Sequence, residues 1–257
     1  MSQPQDQEQE SGEQTGSFLT HLEALRWTLV RSFIALLVTS GVCFYFSDFI
    51  VNDILLRPLH QLSTPVMLQN LKPFGQIMLY LQVSFFSGLV LGIPYVLYEI
   101  WRFVYPALRQ KEIKYIRSIV AFSSFCFLAG VAFAYFLIIP YSVQFFMSFG
   151  SPSIVNNLAA DEYMSFIVQI MLASGLLFEL PMVSYFLSHL GLLTPNFMKH
   201  YRRYAYFIVV VLAGIFTPPD VISQIFLVVP MMILYEISIV ISAAIQKRKQ
   251  AGLRSTT

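Results

Sequence analysis

Carboxylates are the side chains of this sequence with the clearest capacity for chemistry, because two of them lie inside otherwise apolar runs. Glu179 sits in Gly175-Leu-Leu-Phe-Glu-Leu-Pro181, and Glu236 is similarly embedded near the carboxyl end. An ionisable group in the middle of a membrane costs about 2.5–3.5 kcal/mol or more unless it is paired or hydrated, so it is a functional candidate by default. A neutral, hydrogen-bonded Glu that ties helices together is the competing reading, and it weighs more for Glu236 than for Glu179. Pro181 frees a backbone carbonyl one turn away, which helps to keep a polar pocket near Glu179. Glu112 lies among Arg102, Arg109, Lys111, Lys114 and Arg117, and by spacing alone reads as a neutralising surface charge. Glu23, three residues before Arg26, reads by spacing alone as that arginine's intrahelical partner.

Catalytic constellations are not found. The sequence holds no GxxxxGK[ST] phosphate loop, no HExxH and no plausible Ser/His/Asp or Cys/His set. His21, His60, His189 and His200 are scattered, and Cys43 and Cys126 each stand alone in an apolar run. Neither a metal nor another cofactor is therefore expected, nor a disulfide framework.

The elements that carry these residues follow from composition. Of 257 residues 56% are hydrophobic and 12% charged, against about 25% charged in a soluble domain. The mean hydropathy is +0.65. A soluble fold of this size lacks the interior to hide so much apolar surface. In lipid every backbone polar group must be satisfied internally, and long runs without period-2 alternation select helices. Residues 1–16 are Gln-, Glu- and Ser-rich, a disordered tail rather than a signal peptide.

Six spans are expected in residues 17–246, at approximately 27–47, 75–100, 116–139, 163–188, 203–216 and 221–243, followed by a second tail at 247–257. Asp161 is the expected N-cap of the fourth span. Thr194-Pro195 is an N-cap followed by Pro at the first helical position. The fifth span has an apolar part of only 12 residues, Ala205–Phe216, about 18 Å against a hydrocarbon core of ~30 Å. Thr217-Pro218-Pro219-Asp220 makes a tight reversal into the sixth, with Asp220 capping its start. Fourteen of the 16 Lys and Arg residues fall on one side of this topology, leaving only Arg57 and Lys72 opposite. The positive-inside rule then places both termini in the cytoplasm.

Four separated motifs carry a resemblance. They are Trp101-x-Phe103-x-x-Pro106-Ala107-Leu108-x-x-x-Glu112, then Tyr135-Phe136-x-x-x-Pro140, then Phe178-Glu179-x-Pro181, then Thr217-Pro218-Pro219-Asp220-Val-x-Ser223-Gln224. In this order they resemble the TatC family, the integral core subunit of the twin-arginine protein translocase, from Thr20 to about Ile245. The family's amino-terminal H-L-x-E-L-R is matched by His21, Leu22, Leu25 and Arg26, but Ala24 stands where the family has Glu. Glu23 comes one residue earlier, about 100° round a helix.

The resemblance implies an all-α polytopic bundle shaped like a cupped hand, with short fifth and sixth helices, in the cell inner membrane. It implies a non-enzymatic receptor for twin-arginine signal peptides of folded cargo. Single-span TatA/TatB-type subunits, other TatC copies and membrane lipids are its implied partners, and the proton-motive force its energy source. Nucleic acid is not among the partners. Two adjacent guanidinium groups need a carboxylate that accepts bidentate hydrogen bonds, and in this context Glu112 becomes the acceptor rather than a surface charge. Trp101, Phe103, Pro106 and Leu108 join Glu23 and Arg26 in the implied signal-peptide site. Glu179, Gln224, Pro181 and Tyr135 form the implied intramembrane site for partner helices, and Thr217–Asp220 the outer hairpin. Tyr201-Arg202-Arg203-Tyr204 is read as a topological anchor. A proton-coupled secondary transporter with Glu179 as relay is the alternative; the sequence lacks the inverted repeat such proteins carry.

Overall fold

The computed structural model describes residues 5–60, 68–104, 116–149, 158–216 and 221–254. Its helices are α1 (Gln5–Tyr45), α2 (Ser47–Phe49), α3 (Arg57–His60), α4 (Gly75–Val104), α5 (Ile116–Phe133), α6 (Ile139–Ser148), α7 (Ala160–Leu177), α8 (Leu180–Leu190), α9 (Pro195–His200), α10 (Arg202–Phe216) and α11 (Val221–Arg254). Among the described residues five stretches are long and apolar enough to cross a membrane: Leu22–Tyr45, Gly75–Phe103, Ile119–Ser148, Ala160–Leu190 and Ser223–Lys247. The chain is a multi-pass, all-helical membrane protein. The expected fifth span is α10, whose 15 residues reach about 22 Å, less than the ~30 Å of a hydrocarbon core.

The helices end where backbone chemistry requires. Thr194 caps α9 as expected, its hydroxyl accepting from the Phe197 N–H at 3.3 Å, and Pro195 follows. Pro181 does not kink a continuous helix. The helix stops at Leu177 and restarts at Leu180, with Pro181 in the new first turn, where its missing N–H leaves no hydrogen bond unmade. Gly191, at φ 81°, closes α8 in the left-handed conformation that costs a residue with a Cβ. The expected cap at Asp161 is corrected: Ala159 is the N-cap of α7 and makes no side-chain cap bond. Asp161 lies in the first turn, where a negative charge suits the helix dipole, and its carboxylate accepts from the Lys72 ammonium instead. That bond raises the Lys72 pKa above the usual lysine value. The expected tail at 1–16 contains the start of α1, and α11 runs past 246 to Arg254. Gln and Glu, and Lys and Arg, are good helix formers.

Packing is uneven. The α7–α8 stretch is central, with 61% of its apolar window buried, whereas α1 is peripheral at 11%. Val83 and Phe86 of α4, Phe127 of α5, Met164, Ile167 and Ile170 of α7, and Leu227 and Met231 of α11 make the core. What seats α1 is a seam of small residues. A Cβ on Gly88 would meet the Ser40 backbone at 2.4 Å, and one on Gly92 would meet the Thr39 hydroxyl at 3.0 Å. Gly88-x-x-x-Gly92 thus lets two backbones approach, the arrangement by which helices associate in lipid.

On the side of Arg57 and Lys72, two π-helical segments, Ile50–Leu55 and Ala134–Ile138, interrupt the regular ladder. The Tyr135 hydroxyl donates to the Ile54 carbonyl at 2.8 Å and the Tyr163 hydroxyl to the Leu55 carbonyl at 3.0 Å, satisfying acceptors at the end of the first. Beside them β1 (Leu68–Gln69) and β2 (Leu158–Ala159) pair in parallel, Leu68 opposite Leu158 and Gln69 opposite Ala159.

Candidate functional site

The carboxyl end of α4 carries the motif beginning at Trp101. Trp101 is buried, and its ring meets Phe186 of α8 edge-on, centroids 4.9 Å apart at 80°. This contact fixes the end of α4 against α8. Phe103, the penultimate residue of α4, is half-buried. Pro106, Leu108 and Glu112 lie outside the described residues, as do Thr217, Pro218, Pro219 and Asp220. Glu23 and Arg26 are exposed on α1 and form no ion pair with each other among the described residues, so the expected intrahelical partnership is not made.

One carboxylate at this end was passed over in the sequence. Glu99 is 2% exposed. Its Oε1 accepts from the Tyr95 hydroxyl at 3.2 Å and lies 3.8 Å from Arg102 Nη1. Its Oε2 lies 3.8 Å from Arg31 Nη1 on α1 and has no hydrogen-bond partner. The available signal was Tyr95, Glu99 and Arg102 at helical i, i+4, i+7 spacing, with Arg31 at the corresponding polar-to-apolar boundary of α1.

The intramembrane carboxylates have different surroundings. Glu179 lies in the break between α7 and α8. Its Oε2 accepts from the Ser123 hydroxyl of α5, while Oε1 is buried without a hydrogen-bond partner. The buried hydroxyls of Ser124 and Ser174 are likewise unpartnered. Gln224, expected to act with Glu179, turns to the neighbouring helix, its Nε2 donating to the Val210 carbonyl at 3.0 Å. Pro181 is buried, and Tyr135 is engaged with the π-helical segment rather than with Glu179. Glu236 is fully tied. Arg202 Nη2 donates to its Oε2 at 2.8 Å, and the Tyr206 hydroxyl donates to Oε1. The Arg202-Arg203 dipeptide therefore includes the basic half of a clamp between α10 and α11.

No group of three or more His, Cys, Asp or Glu residues placed to hold a metal occurs among the described residues. A concave pocket of about 360 Å³, lined by Cys43, Phe86, Val90, Pro94 and Met171 among others, is almost wholly apolar and offers no group for chemistry.

Comparison with known proteins gives consistent findings. Residues 20–230 match the family described as Sec-independent protein translocase protein (TatC). A protein of that name from Desulforapulum autotrophicum is 38% identical over 240 residues, covering 93% of this chain and 88% of its own length. Another, from Helicobacter pylori, is 35% identical over 226 residues, covering 86% of this chain and 87% of its own. A crystal structure described as the twin arginine translocase receptor TatC superposes with a TM-score of 0.80 at 33% identity, over 88% of this chain and 99% of that one.

Proposed function

This chain belongs to the TatC family of Sec-independent protein translocase proteins, and we propose that within it the chain is the cytoplasm-facing receptor for paired-arginine leader peptides. Both termini and the segment after α4 face the cytoplasm of a bacterial inner membrane, with six crossings that count the short α10. Glu112 accepts one or both guanidinium groups of the leader in bidentate hydrogen bonds, worth roughly twice a neutral pair. Trp101, Phe103, Pro106 and Leu108 give the apolar flank of the leader a surface, and Glu23 and Arg26 border it from α1. The observation that carries this reading is the burial of Trp101 against Phe186. It anchors Trp101, the first residue of the motif, against α8.

Glu179 supplies the second half of the activity. A partner helix with a polar residue at the right depth satisfies the bare Oε1. Single-span TatA/TatB-type subunits and further copies of the chain dock there, and the proton-motive force drives transport without a nucleotide or a covalent step.

The test is photo-cross-linking of a twin-arginine peptide to the solubilised full chain and to its Glu112→Ala variant. The variant is expected to insert normally and lose the cross-link. An undiminished cross-link would reject Glu112 as the acceptor.

A further inference from the structure

Arg31 and Glu99 occupy equivalent depths on adjacent helices. The uncharged run of α1 begins at Ser32, immediately after Arg31, and that of α4 ends at Tyr98, immediately before Glu99. Arg102 follows one turn later. The three side chains therefore meet where helices leave hydrocarbon for the headgroup layer. Glu99 is buried, but Arg31 and Arg102 keep 44% and 55% of their side chains exposed. Both guanidinium groups stand 3.8 Å from the carboxylate, too far for a hydrogen bond. Among the described residues neither arginine donates a hydrogen bond, so the N–H groups of both forks remain available. Tyr95 and Tyr98, both exposed, lie 6.3 Å apart along the face of α4 that leads to Arg102. Amphipathic rings of this kind settle at headgroup level.

The charges decide what such a site takes. Two cations around one anion leave an excess of +1, which repels an arginine-bearing leader and attracts an anion. Glu99 holds the two forks from beneath without consuming their donors. We propose that Arg31 and Arg102, braced by Glu99, bind the phosphate of an anionic phospholipid at the α1–α4 edge, with its acyl chains along the exposed apolar face of α1. Basic pockets between membrane helices recognise headgroups in this way, each cation near the surface contributing roughly fivefold in affinity. The site stands apart from the leader reading, since no peptide takes part.

The test uses the full chain in detergent mixed with equal amounts of dioleoyl phosphatidylglycerol and dioleoyl phosphatidylcholine, with retained lipid counted by native mass spectrometry. The wild type is expected to retain phosphatidylglycerol in preference to phosphatidylcholine by about fivefold, one unit of charge excess being worth roughly that factor. Replacing the arginines alone would strand Glu99 without counter-charge, so the chosen variant is Arg31→Gln/Glu99→Gln/Arg102→Gln, which is expected to lose the preference. Should it fail to fold, Arg102→Gln alone, at the more exposed cation, takes the charge excess to zero and is expected to reduce the preference about fivefold. Equal retention of the two lipids by wild type, or an undiminished preference in the variant that folds, would overturn the site. Full competition by millimolar inorganic phosphate would overturn the lipid as its occupant.

Discussion

Glu179 and Glu236 are both carboxylates within apolar helical stretches, yet their surroundings differ in kind. In the α10–α11 hairpin Glu236 receives Arg202 and Tyr206, one donor on each oxygen. In the α7–α8 break Glu179 receives Ser123 alone and leaves a buried oxygen bare. Burying a polar group without a partner costs more than a made bond returns. A saturated carboxylate is therefore a brace, and an unsaturated one is capacity held for something that arrives later. The same distinction separates the first π-helical segment, whose Ile54 and Leu55 carbonyls are capped by Tyr135 and Tyr163, from Glu179.

The largest effect expected from this contrast is on association. Glu179→Ala should reduce co-purification of a single-span partner to background, weaken leader-peptide binding far less, and leave the thermal unfolding midpoint nearly unchanged, since losing the Ser123 bond is offset by removing an unsatisfied oxygen. Glu236→Ala should do the reverse. Loss of two interhelical bonds should lower stability by about 1–2 kcal/mol with partner yield unchanged, as read by unfolding in mixed micelles. Equal partner loss in both variants would erase the distinction. Smaller again, Ser123→Ala should cost about 0.6 kcal/mol, the average for a hydrogen bond between membrane helices. Smallest is Lys72→Ala, at an exposed ion pair whose value is slight. The raised Lys72 pKa stabilises the fold in full below the ordinary lysine value and is lost as pH rises through the raised one. Melting curves of Lys72→Ala and wild type should therefore differ marginally at pH 7 and converge above pH ~10.5.

Much of this architecture is legible in the sequence because lipid imposes simple rules. Uncharged runs mark the long apolar helices, Thr194-Pro195 marks a helix start, and Glu179 declares itself by depth. What the sequence conceals is pairing across helices. Asp161 looks like a cap until Lys72, remote in the chain, reaches it. Gly88 and Gly92 look like tolerated interruptions until the α1 backbone lies against them. Glu99 looks like the charge that ends a run, because burial between Arg31 and Arg102 depends on α1 meeting α4. The π-helical segments have no periodicity to announce them; the end of the first is capped by two tyrosines more than 80 residues away in sequence. Gln224 and Tyr135 carry family motifs, and geometry gives each a backbone partner on another element that spacing did not foresee.

Affinity for paired guanidinium groups is the most direct measure of the receptor account. The solubilised chain should bind a leader peptide with adjacent arginines at least about tenfold more tightly than the same peptide with adjacent lysines, because only the planar fork engages a carboxylate through two parallel bonds. Glu112→Gln should abolish that difference. Equal binding of the two peptides by wild type, or a difference that survives Glu112→Gln, would contradict the account.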